Sequence, residues 1–160
     1  MPKYAIQYVS YTTSTSKRSP LGQYLLTDVT HASEVIEVIC TGAGSVAAAD
    51  IQHECELNGF TSGGTGTATA FTAAKFNFAG AASLGNAFVN YTAEPTTITA
   101  ANSGHPVSFG FNQRGGMRLA VPQGEGVKYS FSGTEKLWTV SVLSSAAGTV
   151  NTNVHYWQGN

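Results

Sequence analysis

The chain has 160 residues, only 11% of them charged, and its formal net charge is −1. The length suits one domain that buries roughly two-thirds of its unfolded surface. Binding to nucleic acid without sequence preference requires clustered Lys and Arg that displace counterions, so we expect no direct contact with nucleic acid. With so few charges, the surface must consist largely of Thr, Ser, Asn, Gln, Gly and Ala, which permits copies of the chain to associate.

No segment is long and apolar enough to span a bilayer, and the first ten residues lack the uninterrupted apolar run of a secretion signal. We therefore expect synthesis in the cytoplasm of the producing cell and no membrane partner. Cys40 and Cys55 lie on neighbouring strand-like segments, so a bridge between them is geometrically conceivable. Because cytoplasmic synthesis disfavours disulfides, we expect free and mostly buried thiols.

The N-terminal segment is expected to have two parts. Residues 1–20 should form a strand followed by a polar arm, and residues 21–160 the β-sandwich domain. The arm contains Lys17 and Arg18, the only adjacent basic pair, followed by Pro20, a composition typical of a solvated loop. We expect the arm to be mobile in the free protein and to order against a partner.

Strands are predicted along the whole chain from β-branched and aromatic residues between turn clusters. They cover residues 4–12, 23–28, 34–41, 51–57, 86–91 and 96–99, three strands within 106–131, and residues 136–143 and 149–157. Such a set predicts an all-β fold, a single-domain antiparallel β-sandwich of the jelly-roll type.

Two further expectations concern the first half of the chain. The strand at 51–57 alternates apolar and polar side chains, so it should bury one face, and we expect it to pair with residues 34–40. Residues 58–85 are rich in Gly, Thr and Ala and should form a long ordered excursion with one strand, anchored by Phe71, Phe76 and Phe78. This excursion packs either on the protein itself or on a partner.

The segment 106–131 gives the clearest strand pattern, because apolar residues recur there with a period of two. From this alternation, and from that of the strand at 136–143, the predicted core residues are Phe109, Leu119, Tyr129 and Val140. In the turn between the first two strands of the segment, Arg114 is placed to hydrogen-bond carbonyls or a carboxylate with its planar guanidinium group.

Catalytic and metal-binding patterns are weak. No nucleophile elbow is present, and Gly63-Gly64-Thr65-Gly66 lacks the Lys-Ser/Thr ending of a phosphate loop. A metal site could use His53 and Cys55 with His31 or Cys40, and a glycosidase pair could come from Glu34, Glu37, Glu54 and Glu56. We favour a satisfied buried histidine and solvent-facing carboxylates, and hence a protein that is not an enzyme and has no cofactor.

Aromatic residues on the faces of a β-sandwich can stack on sugar rings, which leaves carbohydrate binding as an alternative. The candidates for such a platform are Tyr91, Trp138, Tyr156 and Trp157. Core packing is the other explanation for most of them. The last strand also alternates, so that Asn151, Asn153, His155 and Trp157 share one face that is either solvated or turned to a partner.

Three motifs carry a family resemblance: Asn112-Gln113-Arg114 followed by Met117-Arg118-Leu119-Ala120, the Pro-Gln-Gly-Glu-Gly turn at 122–126, and the strand at 149–157. With a looser likeness at 81–96, they cover about the C-terminal half. In these motifs the chain resembles the small β-sandwich head-decoration (cement) proteins and related minor capsid proteins of tailed double-stranded DNA phages.

The resemblance implies a non-enzymatic viral structural protein on the capsid exterior, a homotrimer that binds the major capsid protein and stabilises the head. The alternative is a carbohydrate- or receptor-binding module of a phage tail. The residues that we expect at an interface are Lys17, Arg18, Gln113, Arg114, Arg118 and Trp157.

Overall fold

A computed structural model describes residues 2–24, 32–43, 50–60, 68–83, 85–91, 107–130 and 137–159. These residues form twelve β-strands and no helix. The strands are β1 Lys3–Thr12, β2 Arg18–Tyr24, β3 Ala32–Gly42, β4 Gln52–Phe60, β5 Thr69–Phe71, β6 Ala74–Lys75, β7 Asn86–Val89, β8 Val107–Asn112, β9 Gly116–Ala120, β10 Val127–Ser130, β11 Leu137–Ser144 and β12 Thr149–Gln158. Within these ranges the chain has no helix with the length and hydropathy needed to cross a membrane.

The strands form two antiparallel sheets that pack on each other. Sheet A has the order β10-β3-β12-β1-β6, with β9 also paired to β3, and sheet B has the order β5-β7-β2-β11-β4-β8. The first strand pairs with the last and the second with the penultimate, while β3 pairs with β9 and β10 and β4 with β8. This is the pairing of one long hairpin rolled into a sandwich, the jelly roll. The predicted single-domain β-sandwich is confirmed.

The core lies between the two sheets and is centred on large aromatic residues. Trp138 from sheet B meets Tyr156 from sheet A at a ring-centroid distance of 5.7 Å, and Tyr156 stacks on Tyr4 at 5.5 Å. Such pairs contribute about 0.5–1.5 kcal/mol each beyond the area that they bury. Tyr129 and Val140 are fully buried here, as predicted.

Two predicted core residues are only half-buried. Phe109 packs against the core from β8 and Leu119 lies on β9, and neither side chain is fully covered. Both residues lie on strands at a sheet edge: β8 is the last strand of sheet B, and β9 pairs with β3 at the edge of sheet A. Alternation identifies the inward face of a strand, but burial also depends on neighbours on both sides.

The expected pairing of residues 51–57 with 34–40 is wrong. The alternation itself is confirmed, because Cys55 and Leu57 are buried while Gln52 and Glu54 are exposed. However, β4 pairs with β11 and β8 in sheet B, whereas β3 lies in sheet A. In the jelly roll, β12 pairs with β3 and β11 pairs with β4, so β3 and β4 do not pair with each other as a local hairpin would.

The segment between β1 and β2 is tied to the body of the sandwich. Thr13 N donates to Gly148 O at 2.9 Å, Gly148 N donates to Thr13 Oγ1 at 3.1 Å, and Ser144 N donates to Ser14 O at 3.1 Å. Leu21 is fully buried. The expected boundary after residue 20 falls inside β2, and these contacts favour an ordered segment over a mobile arm.

The described part of the 58–85 excursion packs on this protein. β5 pairs with β7 at one end of sheet B, and β6 pairs with β1 in sheet A, so residues 69–75 cross from one sheet to the other. The crossing closes one side of the sandwich. The expected strand at 96–99, residues 25–28 of the strand expected at 23–28, the glycines at 63–66 and His31 lie outside the described residues.

Candidate interaction surface

The outer face of sheet A carries the side chains that point away from the core. Side chains of paired residues lie on the same face of a sheet, so strand register defines this surface. The sheet A face, as we call it, comprises Ala5 and Gln7 of β1, Glu37 and Ile39 of β3, Arg118 of β9, and Asn153, His155 and Trp157 of β12. Alternating burial along β12 agrees with this assignment.

A carboxylate with two basic partners lies near the middle of the sheet A face. The Glu37 side chain is only 8% exposed; one of its oxygens forms an ion pair with Arg118 and the other a hydrogen bond with Nδ1 of His155. Burial raises the pKa of Glu37, but the hydrogen bonds from Arg118 and His155 outweigh it and leave the pKa below its usual value. Because the Arg118 side chain is 66% exposed, a partner can still contact it.

An aromatic residue extends this network toward the β6 edge of sheet A. The Phe76 ring meets His155 edge-on, with centroids 4.9 Å apart and planes at 82°. Lys3 Nζ lies 4.5 Å from the centre of the same ring, which is a cation–π distance. Phe76, His155, Glu37 and Arg118 therefore form one connected row across the face.

Next to this row, residues 76–80 form the FNF turn, which presents an aromatic ring to solvent. Lys75 Nζ donates to Gly80 O at 2.9 Å and Gly80 N donates to Asn77 O at 2.9 Å, so the turn is closed by its own hydrogen bonds. Phe78 is 87% exposed. An exposed apolar side chain of this size can contact a partner. Because the turn is already constrained, such binding costs little conformational entropy.

The residues after the FNF turn are fixed to the sheets. Tyr4 Oη donates to Ala81 O at 3.0 Å, and the Ser83 hydroxyl lies 2.9 Å from the Tyr156 hydroxyl. Ser83 also donates to Gln158 Oε1 at 3.0 Å. The segment that follows the FNF turn is therefore hydrogen-bonded to β1 and to β12.

Trp157 lies on the sheet A face and is half-buried. Its indole nitrogen is covered and has no hydrogen-bond partner among the described residues. A partner would therefore meet the exposed part of the ring and not the N–H group. Trp157 and Arg118 are the two expected interface residues that the fold brings to one surface.

Arg114 lies elsewhere, in the turn between β8 and β9. Its Nε is 3.3 Å from Asp50 Oδ1, and the two side chains are 54% and 65% exposed. The carboxylate partner expected from the sequence is present. Exposed ion pairs contribute about 0–1 kcal/mol, so Arg114 is a weak anchor.

Gln113, the preceding residue, is buried and joins several parts of the chain. Its Nε2 donates to Ala43 O at 3.1 Å and to Thr149 O at 2.7 Å, while its Oε1 lies 2.7 Å from His53 Nε2. The Gln113 oxygen must therefore accept from His53, whose Nδ1 accepts from the Ser144 hydroxyl at 2.7 Å. Burial lowers the pKa of His53, which favours this neutral form.

Hydrogen bonds connect Ser144 to His53 and His53 to Gln113. A catalytic triad has the same order of nucleophile, base and orienting group. A neutral amide cannot stabilise an imidazolium as the carboxylate of a catalytic triad does. Ser144 is also only 4% exposed. The arrangement connects β4, β11 and the β8–β9 turn, and it leaves both His53 nitrogens occupied. In the described part of the chain, no group of three or more His, Cys, Asp or Glu side chains could hold a metal ion.

The carboxylates considered for glycoside hydrolysis are dispersed. Glu37 lies on the sheet A face, whereas Glu54 and Glu56 are on the outer face of sheet B, where Glu56 pairs with Lys17. Glu34 Oε1 accepts the backbone N–H groups of Gly124 and Gly126. Glu34 and Glu37 are buried, so the expectation that both face solvent is wrong. Strands β3 and β4 therefore do not supply the facing pair that this chemistry needs.

The six expected interface residues fall in three places. Arg118 and Trp157 lie on the sheet A face, and Gln113 and Arg114 lie in the β8–β9 turn. Lys17 and Arg18 lie at the start of β2 on the sheet B side, and the Arg18 side chain is not among the side chains that the structure describes. Gln113, at 7% exposure, offers a partner little surface.

The aromatic residues suggested as a sugar platform are mostly internal. Trp138 and Tyr156 are fully buried and Tyr91 is 4% exposed, which leaves only Trp157 at the surface. Among the described residues, the exposed aromatic side chains are instead Phe76 and Phe78, and at 87% exposure Phe78 is not the anchor of the excursion that we expected. The Asn-Phe-Ala-Gly sequence at 77–80, a turn composition around an aromatic residue, is the signal that could have identified them.

No protein-family model matches this chain, and neither does a curated protein or a solved structure. A proposal for its function therefore depends on its own residues and on the resemblance described above.

Proposed function

We propose that this protein is a non-enzymatic structural protein of a tailed-phage virion. It decorates the capsid exterior as a homotrimer, binds the major capsid protein and stabilises the head after synthesis in the host cytoplasm. The resemblance in the 112–126 and 149–157 segments supports this proposal. The jelly-roll pairing agrees with it, since that fold recurs in viral capsid proteins, although it also occurs in lectins.

The observation that carries the proposal is the exposed Phe78 on the hydrogen-bonded FNF turn. Aromatic residues that enter a pocket of a partner provide a large share of binding energy at protein interfaces. The turn lies beside the sheet A face, which adds the Phe76 ring and the exposed side chain of Arg118. We assign this combined surface to the contact with the capsid lattice.

Weak single contacts suffice for a decoration protein. A trimer on a repeating lattice binds through several copies at once, and linked sites raise the overall affinity by about 10²–10⁴ without new contacts. Because only 11% of the residues of the chain are charged and its formal net charge is −1, electrostatic repulsion between neighbouring copies is small. One aromatic contact per copy is then sufficient for a measurable contribution to the overall affinity.

The oligomeric state is the first test. Gel filtration with light scattering should give three times the mass of the single chain. A monomer would contradict the homotrimer. If that monomer also bound glycans, the carbohydrate-binding alternative would replace the decoration role, although the burial of Trp138 and Tyr156 argues against it.

Capsid binding is the second test, with capsids assembled from the major capsid protein of the same virus. Wild-type protein should bind, and Phe78→Ala should weaken binding about tenfold or more, as for an interface hot spot. The matched control is Leu143→Ala, an apolar residue 37% exposed on the outer face of sheet B, which should bind like wild type. Equal binding by both variants would exclude the FNF turn, and no binding by the wild type would exclude decoration.

A further inference from the structure

Two cysteines meet across the core of the sandwich. Cys40 lies on β3 in sheet A and Cys55 on β4 in sheet B, and their Sγ atoms are 2.9 Å apart. Both residues are free thiols with 0% exposure. Because β3 and β4 belong to different sheets, this contact links the two layers of the fold.

The separation is close to bonding distance. A disulfide has an S–S length of about 2.0 Å, so the sulfur atoms need to approach by less than about 1 Å. Both side chains already point into the core at the same level, as shown by the sulfur contact itself. The sulfur atoms are therefore within reach of each other, which is the first requirement for a disulfide.

We propose that Cys40 and Cys55 form an intramolecular disulfide that cross-links the two sheets when the protein meets a low-molecular-weight disulfide such as glutathione disulfide. The thiolate of one cysteine attacks a sulfur of glutathione disulfide and expels one glutathione thiolate. The second cysteine thiolate then attacks the protein sulfur of the mixed disulfide and expels the other. Two electrons pass to glutathione disulfide, and the two thiol protons end on the two released glutathione molecules.

The fold controls when this reaction occurs. Burial raises the pKa of the Cys55 thiol, and its contact with Cys40 raises it further, so the reactive thiolate is scarce in the folded protein. Glutathione also cannot reach sulfur atoms that have no exposed surface. The bridge therefore forms during folding or during an opening of the sandwich, and it is slow in the closed state.

The bridge should stabilise the sandwich. It joins positions 15 residues apart and reduces the freedom of the unfolded chain. For a chain of this size, we expect the oxidised protein to melt about 6–10 °C above the reduced protein.

The test is to refold reduced wild-type protein with glutathione disulfide and, in parallel, with excess reductant. Oxidised protein should lose about 2 Da in intact mass, show no thiol that can be alkylated after denaturation, and yield a peptide linking the two cysteines. Cys40→Ala and Cys55→Ala should each remain without an internal bridge and show no rise in Tm from oxidation. Long incubation of native protein with glutathione disulfide just below its Tm gives the same readout without refolding.

Two alkylatable thiols after both treatments would overturn the proposal. A persistent glutathione adduct, or a bridge found only between chains, would do so as well. A bridge without a rise in Tm would show that the cysteines react but do not stabilise the pairing of the sheets. None of these outcomes depends on capsid binding, so this inference and the proposed function can fail separately.

Discussion

The side-chain oxygen of Gln113 lies 2.7 Å from Nε2 of His53, inside the sandwich and away from solvent. Gly148 packs directly against this pair, because a Cβ there would lie 2.6 Å from Gln113 Oε1 and 3.3 Å from His53 Cε1. Polar groups in such a closed space depend on each other for hydrogen bonds. This pair is therefore a structural centre of one end of the fold.

Replacing Gln113 with Ala should destabilise the protein by about 2–4 kcal/mol, because it leaves the buried His53 N–H without an acceptor and removes one of the hydrogen bonds to each of the Ala43 and Thr149 carbonyls. Urea unfolding gives the measurement. The matched control is the neighbouring Arg114→Ala, which removes only an exposed ion pair and should cost about 1 kcal/mol or less. Equal losses for the two variants would contradict the central role of Gln113.

Stability should decrease in mildly acidic solution because of His53. Its pKa is lowered in the folded state from 6.5, mainly by burial, so the unfolded chain takes up the proton more readily. The contribution of neutral His53 is complete above pH 6.5 and is lost as the pH falls through the folded-state pKa. Unfolding free energies of wild type and His53→Gln, measured between about pH 4 and 8, should differ less at acidic pH. A constant difference would refute this assignment.

Gly42→Ala should be strongly destabilising, by about 3 kcal/mol. A Cβ at Gly42 would lie 1.7 Å from the backbone oxygen of Gln113, so one of the two backbone segments must move. Gly115→Ala is the control, since the nearest atom to its Cβ is 3.9 Å away. Thermal unfolding of both variants provides the comparison, and similar Tm values would show that the two segments can separate easily.

Two phenylalanines of β8 should differ in their contribution to stability. Phe111 is 7% exposed and packs on His53 with centroids 5.0 Å apart, so Phe111→Ala should cost about 3–5 kcal/mol. Phe109 is half-buried at the edge of sheet B, and Phe109→Ala should cost about 1–3 kcal/mol. Chemical denaturation would test this order, and a larger loss at Phe109 would mean that something else covers β8.

The strands could be predicted because the period of two is a local property of the sequence. The pairing of the strands could not be predicted, because it joins residues that are far apart in the sequence. Lys3 pairs with Trp157, and the residues around neither of them identify the partner strand. The same limit explains the wrong pairing of β4, for which a hairpin with the preceding strand was the local choice. Gln113 looked like a surface turn residue, and only the convergence of distant segments buries it.

The position of β12 between β1 and β3 in sheet A has a consequence for biosynthesis. A ribosome makes β12 after the other described strands, so the edges of β1 and β3 that pair with β12 stay unpaired until β12 has been made. Folds dominated by such distant pairings mature in about milliseconds to seconds, and exposed edges invite aggregation in that interval. The yield of folded protein should therefore depend strongly on the temperature of expression, even where the finished sandwich is stable.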